Sequence, residues 1–133
     1  MNNGQKKIAP EAATPETKSI EKSTTSSIAE KEEKIKVVLQ CPGEISRVVT
    51  VMNTLETMQE LVGGHIEVHP LGVLLIVMNE EGRLKDLPAN VRCVQYGTIV
   101  GSVFITVADG EDFRSLTTEE IQSARAWLMK HSV

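Results

Sequence analysis

Large hydrophobic residues are sparse along residues 1–34 and dense from Ile35 onward. In the first stretch they are Met1, Ile8, Ile20 and Ile28, scattered among Lys, Glu, Ser and Thr. Such a segment cannot bury enough surface to offset the entropy of ordering it. The pattern predicts a disordered tail over residues 1–34 and one small domain over residues 35–133.

Within the domain the apolar period switches between two and three to four. Residues 35–40 read as a strand, and Cys41, Pro42, Gly43 and Glu44 supply a turn. Residues 45–51 return as its antiparallel partner. Leu55, Met58, Leu61 and Val62 recur at helical spacing, with Asn53 and Glu56 as a capping box and Gly63-Gly64 as the stop. Residues 65–69 alternate: Ile66 and Val68 face one way, His65, Glu67 and His69 the other, until Pro70 breaks the strand. The uninterrupted apolar run 73–78 fits a strand covered on both faces. Residues 79–82 form a turn, 83–91 an irregular loop, and the β-branched stretch 98–107 a last strand. After a turn at 109–112, Thr117 and Glu120 make a second capping box, with Leu116 stapled onto Ile121. Ile121, Ala124 and Leu128 form that helix's buried stripe, flanked by Trp127. The expected fold is α+β: a mostly antiparallel sheet of about five strands with two covering helices.

Composition refines this picture. Apolar residues make up 41% and aromatics only 3%, so the core must be built from Val, Ile, Leu and Met. Roughly 100 residues suffice for one core without disulfides or metals. The formal net charge is −4. In the tail, Lys6, Lys7, Lys18, Lys22, Lys31 and Lys34 balance Glu11, Glu16, Glu21, Glu30, Glu32 and Glu33, so the whole excess belongs to the domain. An acidic domain argues against a general nucleic-acid grip, and a neutral tail against an anionic membrane. Lys6-Lys7 is followed by Ile-Ala-Pro-Glu and not by an apolar stretch, which predicts a cytoplasmic protein. Cys41 and Cys93 have no ligand-like spacing and read as free thiols.

One constellation carries candidate chemistry. His65, Glu67 and His69 supply the ligand types of a mononuclear metal site from one strand face. Against it, the ends of such a triplet lie ~13 Å apart in an extended strand. A zinc deaminase would need a Pro-Cys-x-x-Cys half that is absent. Asp109, Glu111 and Asp112 form an acidic loop, but a calcium loop counted from Asp109 would need glycine where Arg114 stands. Gly63-Gly64 closes a helix instead of opening one, so it is no phosphate loop. Ser46, Ser102 and Cys41 have no local base.

Four segments, in order, carry a resemblance. They are residues 53–67 (NTLETMQELVGGHIE), 79–84 (NEEGRL), Ile99-Val100-Gly101, and 108–117 (ADGEDFRSLT). Together they resemble a family of small domains of unknown function carried by phages, plasmids and their bacterial hosts. The resemblance spans about Ile35 to Lys130. Two departures are the long tail and Val91, which stands between Asn90 and Arg92 where the family runs Asn directly into Arg. The resemblance implies a non-enzymatic accessory protein of a mobile element that binds a host or defence protein, with a small nucleotide as the alternative ligand. It implies no cofactor, and self-association is compatible with it. The exposed family-like residues Asn79, Glu80, Glu81, Arg83, Asp109, Glu111 and Asp112 are then the candidate binding positions. A metal-assisted enzyme using His65, Glu67 and His69, and a transcription regulator, are the competing readings.

Overall fold

The computed structural model describes residues 33–133. The tail predicted over residues 1–34 lies outside the described residues except at its end, where Lys34 opens the first strand. Eight strands and two helices follow: β1 Lys34–Gln40, β2 Arg47–Met52, α1 Leu55–Val62, β3 Ile66–Leu71, β4 Leu74–Asn79, β5 Ala89–Cys93, β6 Gly97–Val100, β7 Val103–Asp109, β8 Asp112–Arg114 and α2 Thr118–His131. The main sheet runs β2-β1-β7-β4-β3, with β8 paired to β7, and β5 and β6 form a separate two-stranded ribbon. Every pairing is antiparallel. The fold is therefore α+β, as the hydrophobic pattern predicts.

Both faces of the sheet are buried, because the period-2 alternation puts apolar side chains on each. Ile35, Val37 and Leu39 of β1 join Val77 and Phe104 under Met58 and Val62 of α1. Val38, Ile76, Met78, Val103, Ile105 and Val107 point the other way, under Ala124 and Leu128 of α2 and Val91, Cys93 and Ile99 of the β5–β6 ribbon. That two-sided burial explains why β4 and β7 read as unbroken apolar runs.

Several local expectations change. Thr54, not Asn53, caps α1: its hydroxyl accepts from the Thr57 amide at 3.2 Å. Asn53 is buried and donates from Nδ2 to the Phe113 carbonyl at 3.0 Å, tying the helix entry to β8. Leu55, placed by spacing on the apolar face, is 59% exposed. Gly63 ends α1 at φ 81, as expected of a left-handed cap. Pro70 does not break β3, which continues to Leu71. A proline without an N–H is tolerated there because β3 is an edge strand.

The largest difference lies in residues 83–107. The predicted loop ends in β5, and the predicted last strand divides into β6 and β7. Gly101 makes the division at φ 80, where a Cβ would lie 2.7 Å from Leu87 Cδ1. Only glycine meets both the left-handed backbone and the close approach. Within β5 the register slips between Ala89 and Val91, leaving Asn90 as a bulge residue with its side chain buried. Its Nδ2 donates to the carbonyls of Gln40 and Gly101, both at 2.8 Å, and its Oδ1 accepts from Gln40 Nε2 at 2.9 Å. Gln40 also donates to the Ser132 hydroxyl, and the Val133 amide donates to the Asn90 carbonyl. One side chain thus joins β1, the ribbon and the end of α2.

The predicted start of α2 is present in full: Thr117 and Glu120 exchange side-chain and backbone bonds. Arg114 of β8 also grips Glu120 in a two-point ion pair with both contacts at 3.0 Å. That hydrogen-bonded guanidinium, helped by the Thr117 amide, lowers the Glu120 carboxyl to a pKa of about 2. A lowered carboxyl stabilises the fold fully above its ordinary value near 4.5 and ceases to as pH falls toward 2. Over that window the pair is expected to lose about 1–2 kcal/mol, after allowance for solvent screening. Urea titrations at pH 7 and pH 3 check it: Arg114→Ala should shrink the acid loss, and an unchanged pH dependence would contradict it.

Candidate binding cleft

Packing the β5–β6 ribbon over the end of the sheet leaves a cleft of about 390 Å³ at the β3–β4 side. Glu67 and His69 of β3 form one wall, and Glu80, Arg83 and Leu84 of the β4–β5 connection form a second. Tyr96 and Thr98 close it from the ribbon, over Met78 and Ile99.

Each wall has a local cause. Glu67 pairs across with Met78 and His69 with Ile76, so both project toward the ribbon face, while Val68 takes the α1 face. His69 Nε2 and Glu67 Oε2 are hydrogen-bonded at 2.5 Å. The His69 ring also packs on Tyr96, with centroids 4.8 Å apart and planes tilted by 37°. The Tyr96 hydroxyl donates to the Pro70 carbonyl. Arg83 crosses to the ribbon and donates from a terminal nitrogen to the Thr98 carbonyl at 2.6 Å. Leu84 projects into solvent at the rim, 86% exposed.

The cleft therefore brings together two residue sets that are separate in the sequence. Glu67 and His69 from the strand triplet meet Asn79, Glu80 and Arg83 from the NEEGRL turn. Asn79, expected to be exposed, is instead buried and its side chain is already committed: its Nδ2 donates to the Val62 carbonyl and its Oδ1 accepts from the Glu81 amide. It closes α1 and shapes the turn. Glu81 stands outside the cleft, 3.9 Å from Lys85 on the exposed face.

His65 does not join the other two members of its triplet. β3 begins one residue later, at Ile66, so the alternation that would align His65 with Glu67 does not reach it. Its ring lies instead 3.5 Å from Gln59 Nε2 at the end of α1. Among the described residues, no three His, Cys, Asp or Glu side chains are arranged to hold a metal ion. Asp109, Glu111 and Asp112 are also apart from the cleft. Asp109 and Asp112 close the β7–β8 hairpin, and Glu111 and Asp112 border a smaller recess with Asn53 and Phe113.

Tyr96 and Thr98 escape the sequence reading because the ribbon that carries them is hidden in a predicted loop and one long strand. The available signal is the pair Gly97 and Gly101 bracketing three β-branched residues, Thr98, Ile99 and Val100.

A second recess, of about 410 Å³, lies between the β1–β2 turn and the end of α2, lined by Ile45, Ser46, Arg125 and Met129. Arg125 donates to the Ser46 hydroxyl and carbonyl there. None of the candidate binding or metal-ligating residues lines it; Ser46, weighed as a nucleophile, does, with its hydroxyl held by Arg125.

Among the described residues no helix is long and apolar enough to cross a membrane. No curated protein and no solved structure matches the chain. A family model does match, over residues 35–129, which is the extent of β1 through nearly all of α2. The chain belongs to the domain-of-unknown-function family DUF3846.

Proposed function

We propose that this chain is a non-enzymatic binding module, an accessory protein of a mobile genetic element that docks a host or defence protein in the ribbon-side cleft. The observation that carries the reading is the convergence of Glu67, His69, Glu80 and Arg83 with Tyr96 and the exposed Leu84 around one opening. Exposed charged and apolar groups on a rigid frame are what partner recognition requires. The frame is rigid because Arg83 and Tyr96 are each hydrogen-bonded across to another element.

The lining sets the partner's chemistry. Leu84, Met78 and Ile99 receive an apolar side chain, and Glu67 and Glu80 receive a cation or a hydrogen-bond donor beside it. His69 abuts Glu67, whereas the Thr98 hydroxyl accepts from Arg92 and the Tyr96 hydroxyl donates to the Pro70 carbonyl, so neither is paired with the histidine as a base. Without His65 the metal-assisted alternative has two ligands where a catalytic site uses three.

The test is retention of host proteins by the purified full-length chain, followed by titration of the retained protein against it. Saturation at a fixed stoichiometric ratio, unaffected by chelator, is expected. Glu67→Lys and Leu84→Asp should each weaken the complex by about tenfold or more. Turnover of any substrate at substoichiometric amounts of the chain, or equal affinity of both variants, would overturn the proposal.

A further inference from the structure

The two edges of the main sheet are treated differently. β3 carries Pro70, which cannot donate to an added strand. β2, at the other edge, reads Arg-Val-Val-Thr-Val-Met and contains neither proline nor lysine. Among the described residues it pairs only with β1, and none of them bonds its outer row of backbone groups. Unguarded, β-branched edges are templates for strand addition.

We infer that β2 pairs with β2 of a second copy of this chain, antiparallel about a two-fold axis at Thr50, joining two sheets into one. Residues directly opposite in an antiparallel pair lie on the same face, so such an axis must pass through a residue and not between two. Val49 and Val51 share the face of Val37 and Ile35, and Val48, Thr50 and Met52 share the other. With the axis at Thr50, Val48 meets the partner's Met52, Val49 meets the partner's Val51, and threonine meets threonine. Every apolar side chain of β2 then has an apolar partner, and Thr–Thr is a favourable cross-strand pair.

The exposures agree with this register. Val48 and Met52 are 40% and 39% exposed. Ile45, 81% exposed, precedes the strand by the same number of residues as Leu55, 59% exposed, follows it, measured from Thr50. The pairing directs each toward the other at both ends of the interface. Arg47 comes opposite the partner's neutral Asn53, so no like charges face each other. An axis at Val49 would instead set Arg47 against Val51 and leave Met52 without an apolar partner, opposite Ser46. Strand pairing of this length is at the small end of specific interfaces, so a reversible dimer that forms at micromolar concentration is expected.

The test uses the full-length chain in sedimentation equilibrium at increasing concentration, with circular dichroism to check folding. A monomer–dimer equilibrium is expected, and Thr50→Lys, which sets two cations face to face, should raise its dissociation constant by about tenfold or more. In a Cys41→Ser background, Thr50→Cys should cross-link two copies on mild oxidation, while Arg47→Cys should not. A chain that stays monomeric at every concentration overturns the inference. So does a dimer that is unaffected by Thr50→Lys and cross-links through Arg47→Cys.

Discussion

Asn90→Leu is expected to remove about 3–5 kcal/mol of stability, a large part of the 5–15 kcal/mol that a small domain has. The side chain is 2% exposed. Its amide satisfies the carbonyls of Gln40 and Gly101, and its oxygen satisfies Gln40 Nε2. Leucine supplies none of these bonds. Each buried polar group left without a partner costs roughly 1–3 kcal/mol, and the two carbonyls cannot move because they belong to β1 and to the left-handed Gly101. The Gln40 amide keeps only its bond to Ser132. Urea unfolding measures the effect directly. A loss below about 1 kcal/mol would show that the bulge is not the joint between β1, the ribbon and α2.

Phe104→Ala is the second large effect, at about 3–5 kcal/mol. Phe104 sits in the middle of β7 on the α1 side, opposite Leu39 of β1 and Val77 of β4, and is fully buried. Few aromatic side chains are available to this core, and none of its neighbours is large enough to fill the void. Met58 and Val62 of α1 pack in the same cluster, so the helix should loosen along with the core. Denaturation midpoint and amide exchange in α1 report the two consequences. Leu84→Ala, at an exposed rim position, should stay within about 0.5 kcal/mol of wild type in the same assay.

The alternation of β1 and β2, the apolar run of β4 and the capping box of α2 are legible in the sequence. In each, local chemistry and burial point the same way. The ribbon is not, for two physical reasons. Asn90 turns a polar side chain inward at a bulge, so the alternation of β5 reads as irregular. Gly101 divides a stretch of otherwise β-branched character, and a lone glycine in a strand pattern marks a bulge as readily as a break. Asn53 is misjudged because a buried asparagine that bonds the distant Phe113 carbonyl looks, in sequence, like a helix cap.

Half of the cleft was legible. Glu67, His69, Glu80 and Arg83 stand out as polar residues at a strand face and a turn. Their convergence depends on the ribbon, and so do Tyr96 and Thr98. Val91 sits inside the core on the bulged strand, which lets Asn90 point inward while Arg92 faces solvent and donates to the Thr98 hydroxyl. Asn90 therefore serves the fold, and Arg83, not Arg92, faces the cleft.

The proposal that the cleft is the docking site is tested most directly by site-specific photo-crosslinking in host cells. A photoreactive residue at position 84, on the cleft rim, is compared with one at position 111, on the β7–β8 hairpin. Both native residues are exposed, so both probes are free to react. The account predicts a discrete host-protein adduct from position 84 that is lost when Glu67→Lys is added, and none from position 111. An adduct from position 111 alone would contradict it and move the binding surface to the acidic hairpin.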